Sequence, residues 1–394
     1  MAAPPSDVLK TLVLDPGTSS VKCGLAAESL PAVVCPSVVG KRVAQRKKLI
    51  LKKTAALDED DEGGLPETTV GDDAVTAMRE RVGGVHLHWP ITNGVVKDWD
   101  PMEHLINHCF AEMECVPEST NVVLTQPPFN PRDSLEKWAT AMFESFQVPR
   151  LAVVPQGLCA LYASGRVTGV VLDSGDGVTT VSPVYDSFPI AHATNRMNVG
   201  GGDVTTHMKR LLYERGYNFS NAVDELNLRQ LKESLGWVSQ DYEKDLAAPE
   251  AVEKYEMPDG SEIEVGRERF RCTEVLFSPG IVHSEDKGMA EFVAAAVQSC
   301  GIDARRDLLA NVVLSGGNTL FDGFAKRLQQ DVVTHFPGLF ASTSVVAAPD
   351  RKFNVWAGAS VLATLDSFSA YYVTRDEYDE HGPGVVHGEH KRSE

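Results

Sequence analysis

The sequence has a deficit of positive charge, no long apolar run and no paired cysteine motif, and each absence excludes a class of protein. It contains 37 Lys and Arg residues against 55 Asp and Glu residues, a formal net charge of −18. Charge-driven binding to phosphate backbones or anionic lipid requires a basic face, so this balance speaks against nucleic acid or a membrane surface as the main partner. Because no run of about 18 apolar residues is present, no membrane insertion is expected.

The cysteines are few and unpaired in spacing. There are seven, an odd number, and none forms a CxxC motif. We interpret them as reduced, half-buried thiols of an intracellular protein rather than as metal ligands or disulfides. The N-terminal MAAPPSDVLK has neither a basic start nor an apolar stretch, so no secretory signal is expected.

What is present is the composition of a globular protein. Apolar residues make up 43% and charged residues 23% of the sequence, close to ordinary globular usage. The length of 394 residues predicts two domains. One segment departs from this average: residues 41–53 are rich in Lys and Arg, and residues 58–62 are all acidic. These blocks predict an exposed, mobile loop over 41–69. It is either a solvated insertion or a loop that binds a partner. The polar tail HGEHKRSE is predicted to be frayed.

Apolar strand-like runs alternate with helical patterns along the rest of the chain. Short buried strands are predicted at 11–15, 121–126, 169–173 and 311–316. Helices are predicted over 131–146 and over 203–215, the second with Asp203 as its N-cap. Alternating strands and helices indicate an α/β fold with mainly parallel or mixed sheets.

An internal repeat suggests what these strands carry. LVLDPGTSSVKCG (12–24) and VVLDSGDGVTTVS (170–182) each place an Asp, a Gly and small polar residues between two strand-like runs. Each predicts a hairpin whose turn could hold an anion with its backbone N–H groups. An Asp beside such a turn repels phosphate unless a divalent cation lies between them. Asp15 and Asp173, 158 positions apart, therefore suggest a Mg-nucleotide clamped between two related halves.

Two further glycine clusters follow the same logic. MNVGGGDVTTHMKRLL (197–212) places glycines at a predicted helix start, where anions are favoured. VVLSGGNTLFDGF (312–324) places Gly316 and Gly317 between a strand and a helix. Tight turns also require Gly, so each cluster alone is ambiguous. Together the four glycine turns indicate a ligand site at the ends of the strands.

Many ordered motifs resemble actin and the actin-related proteins. They are PITNGVVKDWDPMEHL (90–105), LYASGR (161–166), LDSGDGVT (172–179), MPDGSEIEVGRERFR (257–271), LSGG (314–317), WAGASVLATL (356–365) and EYDEHGP (377–383). The resemblance extends from about residue 11 to residue 387. GVVKDWDPME and LSGGNTLFDGF are slightly more similar to centractin, the filament-forming actin-related protein of dynactin, than to muscle-type actin.

The resemblance implies the actin-like ATPase fold, two duplicated α/β domains around a nucleotide cleft. The outer domain would comprise residues 1–163 and 354–394 with the charged insertion loop 41–69, and the inner domain residues 164–353. The implied cofactors are ATP or ADP and Mg²⁺.

The resemblance also implies a role for particular residues. Two aspartates would hold the metal through water, Asp15 and Asp173. The phosphate loops and the residues beside the phosphates and sugar would be Gly17, Thr18, Ser19, Ser20, Lys22, Asp176, Gly177, Val178, Gly201, Gly316 and Gly317. The adenosine side would comprise Lys232, Glu233 and Lys352. The catalytic residues would be Gln156, which orients the attacking water, and Asp173. Without the resemblance, Lys232 and Glu233 are typical of a helix surface and Gln156 of a core edge.

Four positions near the predicted site depart from the family pattern, one of them Gly202, which stands where the family has an arginine on the nucleoside side. Pro16 stands where Asn is usual and removes a backbone donor, and Ser19 stands where Gly is usual. Thr180 stands where actin has a histidine near the attacking water, and a hydroxyl cannot carry charge as imidazole does. Weaker nucleotide binding and slower hydrolysis are expected.

Three functions follow as hypotheses. The first is an ATP-binding actin-related cytoskeletal protein, a filament or complex subunit, with at most weak ATPase activity. The second is a non-hydrolysing scaffold subunit of a dynactin-like or chromatin-remodelling assembly. The third is a sugar kinase or an Hsp70-type chaperone, two families that share the duplicated hairpins.

The first two hypotheses predict actin-like subunits or cytoskeletal complex proteins as partners, with no direct nucleic-acid contact. The expected location is the cytoplasm and cytoskeleton, with the nucleus as an alternative.

Overall fold

The computed structural model describes residues 9–42, 67–80, 84–258 and 260–388. In this part of the chain the strands are β1 (Lys10–Pro16), β2 (Ser20–Leu25), β3 (Val33–Pro36), β4 (Val39–Arg42), β5 (Thr68–Val70), β6 (Val85–His88), β7 (Ile91–Thr92), β8 (Val95–Val96), β9 (Thr120–Gln126), β10 (Arg150–Pro155), β11 (Gly169–Ser174), β12 (Thr179–Tyr185), β13 (Phe188–Pro189), β14 (Asn195–Met197), β15 (Glu253–Glu256), β16 (Glu262–Val265), β17 (Val312–Ser315), β18 (Val345–Val346) and β19 (Val373–Thr374).

Helices connect these strands. They are α1 (Gly71–Arg79), α2 (Trp99–Glu112), α3 (Arg132–Thr140), α4 (Gln156–Ala163), α5 (Gly201–Glu214), α6 (Ala222–Leu235), α7 (Tyr242–Ala247), α8 (Glu268–Arg271), α9 (Met289–Ser299), α10 (Ile302–Leu309), α11 (Phe324–His335), α12 (Asn354–Leu362) and α13 (Arg375–His381). None of the described helices combines the length and apolar composition needed to span a bilayer.

Two mixed sheets repeat one plan. The first has the order β19-β10-β9-β1-β2-β3, and the second β13-β12-β11-β17-β18 with β14 also paired to β12. In each sheet an antiparallel hairpin, β1–β2 or β11–β12, lies beside strands that run parallel to its first strand. Asp15 pairs with Lys22 and Asp173 pairs with Thr180 at the matching ends of the two hairpins. The predicted repeat of two hairpins is therefore confirmed.

A shared apolar layer joins the two sheets. It contains Val13 from β1 and Val171 from β11, with α4 and α12 between them. The helices approach closely at Gly358, where a Cβ would overlap the carbonyl oxygen of Cys159. The buried indole of Trp356 donates to the Val13 carbonyl at 3.1 Å, which ties α12 to β1. Each sheet also has its own core on the opposite face.

The predicted strands and helices lie at the expected places, with two corrections at helix ends. The helix predicted over 203–215 is α5, which begins at Gly201 after the N-cap Gly200. The prediction that Asp203 is the N-cap is therefore wrong. Asp203 is instead the third residue of α5. Its carboxylate accepts a hydrogen bond from the Gly200 N–H at 2.9 Å, as the third helical residue does in a capping box. The helix predicted over 131–146 is α-helical to Thr140 and continues as a π-helical turn, Ala141–Ser145.

The ends of the predicted loop 41–69 are strands. Lys41 in β4 pairs with Thr68 in β5, because β4, β5 and β6 form a small sheet. The loop prediction is therefore wrong for residues 41–42 and 68–69, and residues 43–66 lie outside the described residues. In the tail, His387 lies 3.0 Å from the carboxylate of Glu136, and residues 389–394 lie outside the description.

All seven cysteines are free and buried. The prediction of unpaired thiols is confirmed, but these thiols are more deeply buried than expected, with at most 8% of any residue exposed.

Candidate functional site

A cavity of about 810 Å³ lies where the turns of the two hairpins meet. Its lining includes all but one of the predicted site residues: Asp15, Gly17, Thr18, Ser19, Ser20, Lys22, Gln156, Asp173, Asp176, Gly177, Val178, Lys232, Glu233, Gly316, Gly317 and Lys352. The exception is Gly201, which does not line the cavity. A second cavity, of about 430 Å³, is lined by none of the predicted residues.

The first hairpin turn is tight and is held from outside the hairpin. The Gly17 N–H donates to the Ser20 carbonyl at 3.0 Å, and a Cβ on Gly17 would lie 2.9 Å from that oxygen. Ser37, just beyond β3, donates its hydroxyl to the Gly17 carbonyl at 2.6 Å and its N–H to the Ser19 carbonyl at 3.0 Å. The position of this turn therefore depends on Ser37, which the sequence analysis did not identify.

The carboxylate of Asp15, at the end of β1, is compensated within the protein. It accepts from Lys22 Nζ at 2.9 Å, from Thr125 Oγ1 at 2.6 Å and from Gln156 Nε2 at 3.2 Å. Only 3% of Asp15 is exposed, so these donors replace water as partners of its charge. Lys22, predicted to reach phosphates, forms an ion pair with Asp15 here.

Asp173, at the equivalent place on β11, forms no ion pair with a described residue, since Lys22 is paired with Asp15. Burial raises its pKa to about 6; the charge of Asp15 raises it further and the charge of Lys22 lowers it. The carboxylate lines the same cavity as Asp15. A cation placed in the cavity would favour its ionised form.

The second hairpin turn is held by the start of α5 and by Asn318, which lies in the 3₁₀ turn Gly317–Leu320 after β17. The Gly201 N–H donates to the Gly175 carbonyl at 3.0 Å, and the Gly202 N–H to the Asp176 carbonyl at 2.8 Å. Asn318 Nδ2 donates to the Gly175 carbonyl at 2.6 Å. Gly201 therefore lies behind the turn, and its N–H holds the turn instead of facing a ligand.

The two turns touch each other. A Cβ on Gly177 would lie 2.5 Å from Thr18 Oγ1 and 2.9 Å from Asn93 Cα. Thr18 Oγ1 in turn accepts from the Gly94 N–H at 3.0 Å. Gly177 is required for this close approach, whatever else it contacts.

Arg229 on α6 connects the two turns through its side chain. Its Nη1 lies 3.3 Å from Asp176 Oδ2 and donates to Ser19 Oγ at 3.4 Å. The sequence analysis missed this residue. Its spacing was a usable indication, since Arg229, Lys232 and Glu233 lie three and four positions apart on one helix face, and the latter two were already candidates.

Lys232 is turned towards the protein. Only 3% of it is exposed, and its ammonium group donates to the Gly201 carbonyl at 2.9 Å and to Thr205 Oγ1 at 3.0 Å. Burial lowers its pKa, opposed by the charge of Asp176. The hydrogen bonds of Lys232 therefore support the start of α5 behind the second turn.

Gln156 and Thr180, which only the family resemblance connects with hydrolysis, differ in position. Gln156 lines the cavity and donates to Asp15 and, at 3.4 Å, to Thr125 Oγ1. Thr180 is buried and does not line the cavity, and its hydroxyl has no hydrogen-bond partner among the described residues.

The residues present fit a magnesium-bound nucleotide better than a metal held by protein alone. In the described part of the chain, no group of three or more His, Cys, Asp or Glu side chains is arranged to hold a metal ion. Asp15 and Asp173 nevertheless offer oxygen ligands, which suit Mg²⁺ bound jointly with phosphates and water. A Cβ on Gly317 would meet no atom within 4 Å, so this turn leaves open space beside the cavity.

The whole arrangement can be compared with known families. The family model described as Actin matches residues 6–391, nearly the entire chain. The two duplicated α/β halves around one cavity, predicted from the sequence, agree with this match. The two hairpins with matching aspartates, and the layer of two helices that joins the sheets, also agree with it. The chain therefore belongs to the actin family.

Proposed function

We propose that this chain is an ATP-binding actin-related protein of the cytoskeleton, in which Mg-ATP occupies the cavity between the two hairpin turns. One observation carries the proposal: two glycine-containing turns and two carboxylates, Asp15 and Asp173, face the same cavity of about 810 Å³. When bound, Mg²⁺ would neutralise charge between these carboxylates and the phosphates.

The residues of the two halves would share the work of binding. Gly17–Ser20 and Asp176–Val178 would contact the phosphates, with Arg229 supplying a positive charge next to both turns. Glu233 and Lys352 would contact the adenosine side, as the family resemblance implies. The arrangement supports a nucleotide that bridges the halves, 1–163 with 354–394 and 164–353, and favours their closed state.

Binding is tested by thermal unfolding with and without Mg-ATP. A ligand at 100 times its dissociation constant stabilises the folded state by about 2.7 kcal/mol, so the melting temperature should rise by several degrees. Asp173→Asn should reduce the shift, and Lys254→Ala, at an exposed ion pair with Glu262, should leave it unchanged. If millimolar Mg-ATP gives no shift and no nucleotide co-purifies, the proposal is wrong.

Hydrolysis is expected to be slow or absent. Thr180 offers a hydroxyl where the family has an imidazole, and the amide nitrogen of Gln156 is engaged with Asp15. Losing a positioned proton-transfer partner costs about 100-fold to 10,000-fold in rate. These contacts favour the second candidate, a non-hydrolysing scaffold subunit of a dynactin-like or chromatin-remodelling assembly.

Phosphate release from purified protein separates the two candidates. Release that exceeds the no-protein rate and falls in Gln156→Ala supports a weak ATPase. Release at background in both proteins, with Mg-ATP still bound, supports the scaffold.

The proposed partners are other actin-like subunits or proteins of cytoskeletal complexes, in the cytoplasm or, alternatively, the nucleus. Family membership supports this class of partner. Electron microscopy of purified protein in Mg-ATP tests it, because a filament former yields polymers and a scaffold subunit yields single particles. The slight resemblance to centractin stays a prediction, and filaments under these conditions would favour it.

A further inference from the structure

Three cysteines from distant parts of the chain meet in the core of the first half. Cys23 lies on β2, Cys35 on β3 and Cys109 on α2, and all three belong to one apolar cluster. The thiol of Cys109 hydrogen-bonds with the thiols of Cys23 and Cys35, and Cys23 Sγ also lies 4.0 Å from the Cys109 carbonyl oxygen. We call this set the thiol cluster.

The sheet register explains the cluster. Across the antiparallel β2–β3 pair, Cys35 is opposite Val21 and Cys23 is opposite Val33. Cys23 and Cys35 are therefore diagonal neighbours on one face of the sheet, and Cys109 from α2 packs over both. Thiols that hydrogen-bond to one another are near neighbours, which is the first requirement for a disulfide.

The three thiols differ in access. Cys35 lines the 810 Å³ cavity, whereas Cys23 and Cys109 do not. A hydrogen bond from Cys109 lowers the pKa of the Cys35 thiol, against the effect of burial. Burial instead raises the pKa of Cys272 to about 12 and also raises the pKa of Cys159 and of Cys300. Thiolate character and access are the two properties that select a cysteine for oxidation.

We propose that Cys35 and Cys109 form an oxidation site that responds to hydrogen peroxide. The Cys35 thiolate attacks one peroxide oxygen, the O–O bond breaks, and Cys35 becomes a sulfenic acid while hydroxide leaves. Cys109 then loses its thiol proton to the hydroxide released in the first step, its sulfur attacks the Cys35 sulfur, and the S–O bond breaks. The products are a Cys35–Cys109 disulfide, water and hydroxide, and a dithiol reductant reverses the reaction.

Oxidation at Cys35 is coupled to the first hairpin turn. Ser37, two residues further along, donates to both the Gly17 and the Ser19 carbonyls. A disulfide brings the two sulfurs to about 2.05 Å, closer than a non-bonded contact, and so draws β3 towards α2. The turn follows through Ser37, and nucleotide binding weakens. This consequence rests on the proposed function, whereas the oxidation itself does not.

The oxidation is tested on the full reduced chain treated with hydrogen peroxide. Intact mass should show the loss of two hydrogen atoms, and non-reducing peptide mapping should link Cys35 to Cys109. Cys109→Ser should stop at a sulfenic acid on Cys35, trapped by a dimedone-type reagent, and Cys35→Ser should form no link. Cys115→Ser is the matched control, because Cys115 is buried, lies outside the thiol cluster and should behave as wild type.

The peptide map of the oxidised wild-type chain tests the Cys35–Cys109 link even if a variant fails to fold. A link between Cys23 and Cys109, or oxidation confined to other cysteines, overturns the assignment of Cys35.

The coupling is tested by titrating Mg-ATP into the reduced and the oxidised chain. Affinity should fall several-fold on oxidation and return with dithiothreitol, and bound Mg-ATP should slow oxidation of Cys35. Equal affinity in both forms overturns the coupling. If the reduced chain does not bind Mg-ATP, the proposed function is wrong instead. The disulfide assignment is then decided by the peptide map alone.

Discussion

The two hairpins have the same backbone arrangement, but the groups that surround their aspartate carboxylates differ. In the first, Asp15 faces Lys22, Thr125 and Gln156 within hydrogen-bonding distance. In the second, Asp173 pairs across the hairpin with Thr180, which carries no charge, and its pKa is raised to about 6. The first half therefore stabilises its own carboxylate, and the second half is the one whose carboxylate gains from an added cation. A duplicated fold thus carries two unequal halves of one site.

The largest effect is expected where the internal compensation is removed. Lys22→Met leaves the buried Asp15 charge without its cation and should lower the free energy of unfolding by about 3 kcal/mol. Urea unfolding measures it. The double variant Asp15→Asn/Lys22→Met should recover most of the loss, and Lys254→Ala, an exposed ion pair, should cost at most about 1 kcal/mol. An equally small loss in Lys22→Met would show that the two hairpins are not electrostatically different.

The second prediction concerns the pH dependence from Asp173. Its folded-state pKa lies near 6, above the ordinary value of 3.8, so the folded state binds this proton more tightly than the unfolded state. Without nucleotide, wild type should lose stability relative to Asp173→Asn as the pH rises from about 4 to 7, by about 3 kcal/mol in total, most of it by pH 6. Above this range the difference is constant.

Urea unfolding at a series of pH values measures this difference. Mg-ATP should remove much of the loss in wild type, because the cation favours the ionised carboxylate. A difference that does not change between pH 4 and 6 would contradict the proposed environment of Asp173.

The third prediction compares the residues that hold the two turns. Asn318→Ala removes two hydrogen bonds, to Ser174 Oγ at 3.0 Å and to the Gly175 carbonyl at 2.6 Å, and should cost about 2 kcal/mol. Ser37→Ala removes one hydroxyl bond, to Gly17, and should cost about 1 kcal/mol. Both should weaken Mg-ATP binding in a calorimetric titration. If stability falls but affinity does not, the turns do not contact the nucleotide.

The smallest effect is expected at Thr180. Its buried hydroxyl has no hydrogen-bond partner in the described chain, so Thr180→Val should leave stability unchanged or raise it by about 0.5 kcal/mol. The matched variant is Thr179→Val, whose hydroxyl contacts Ser174 Oγ and the Val199 carbonyl, both at 2.8 Å, and which should cost about 1 to 2 kcal/mol. Thermal unfolding of both variants measures the contrast, and a clear loss in Thr180→Val would reveal a partner for its hydroxyl.

Sequence reasoning located 16 of the 37 residues that line the cavity, because that part of the site follows from local chemistry. Asp15 and Asp173 each end a buried strand, and small residues follow at once, which predicts a hairpin turn. Gly201 was placed beside the phosphates by resemblance, whereas its N–H is used by the second turn. Asp203 was assigned as an N-cap because the three preceding glycines gave no indication that the helix had already begun.

The sequence by itself determined the two hairpins, the aspartates at their ends and membership of the actin family. These features depend on short runs of residues whose order decides their local structure. Only the tertiary structure decided which groups compensate those aspartates and hold their turns. Arg229 meets Ser19 across 210 positions of sequence, and Thr125 meets Asp15 across 110. Such contacts depend on how the sheets and helices pack, so no local pattern could have predicted them.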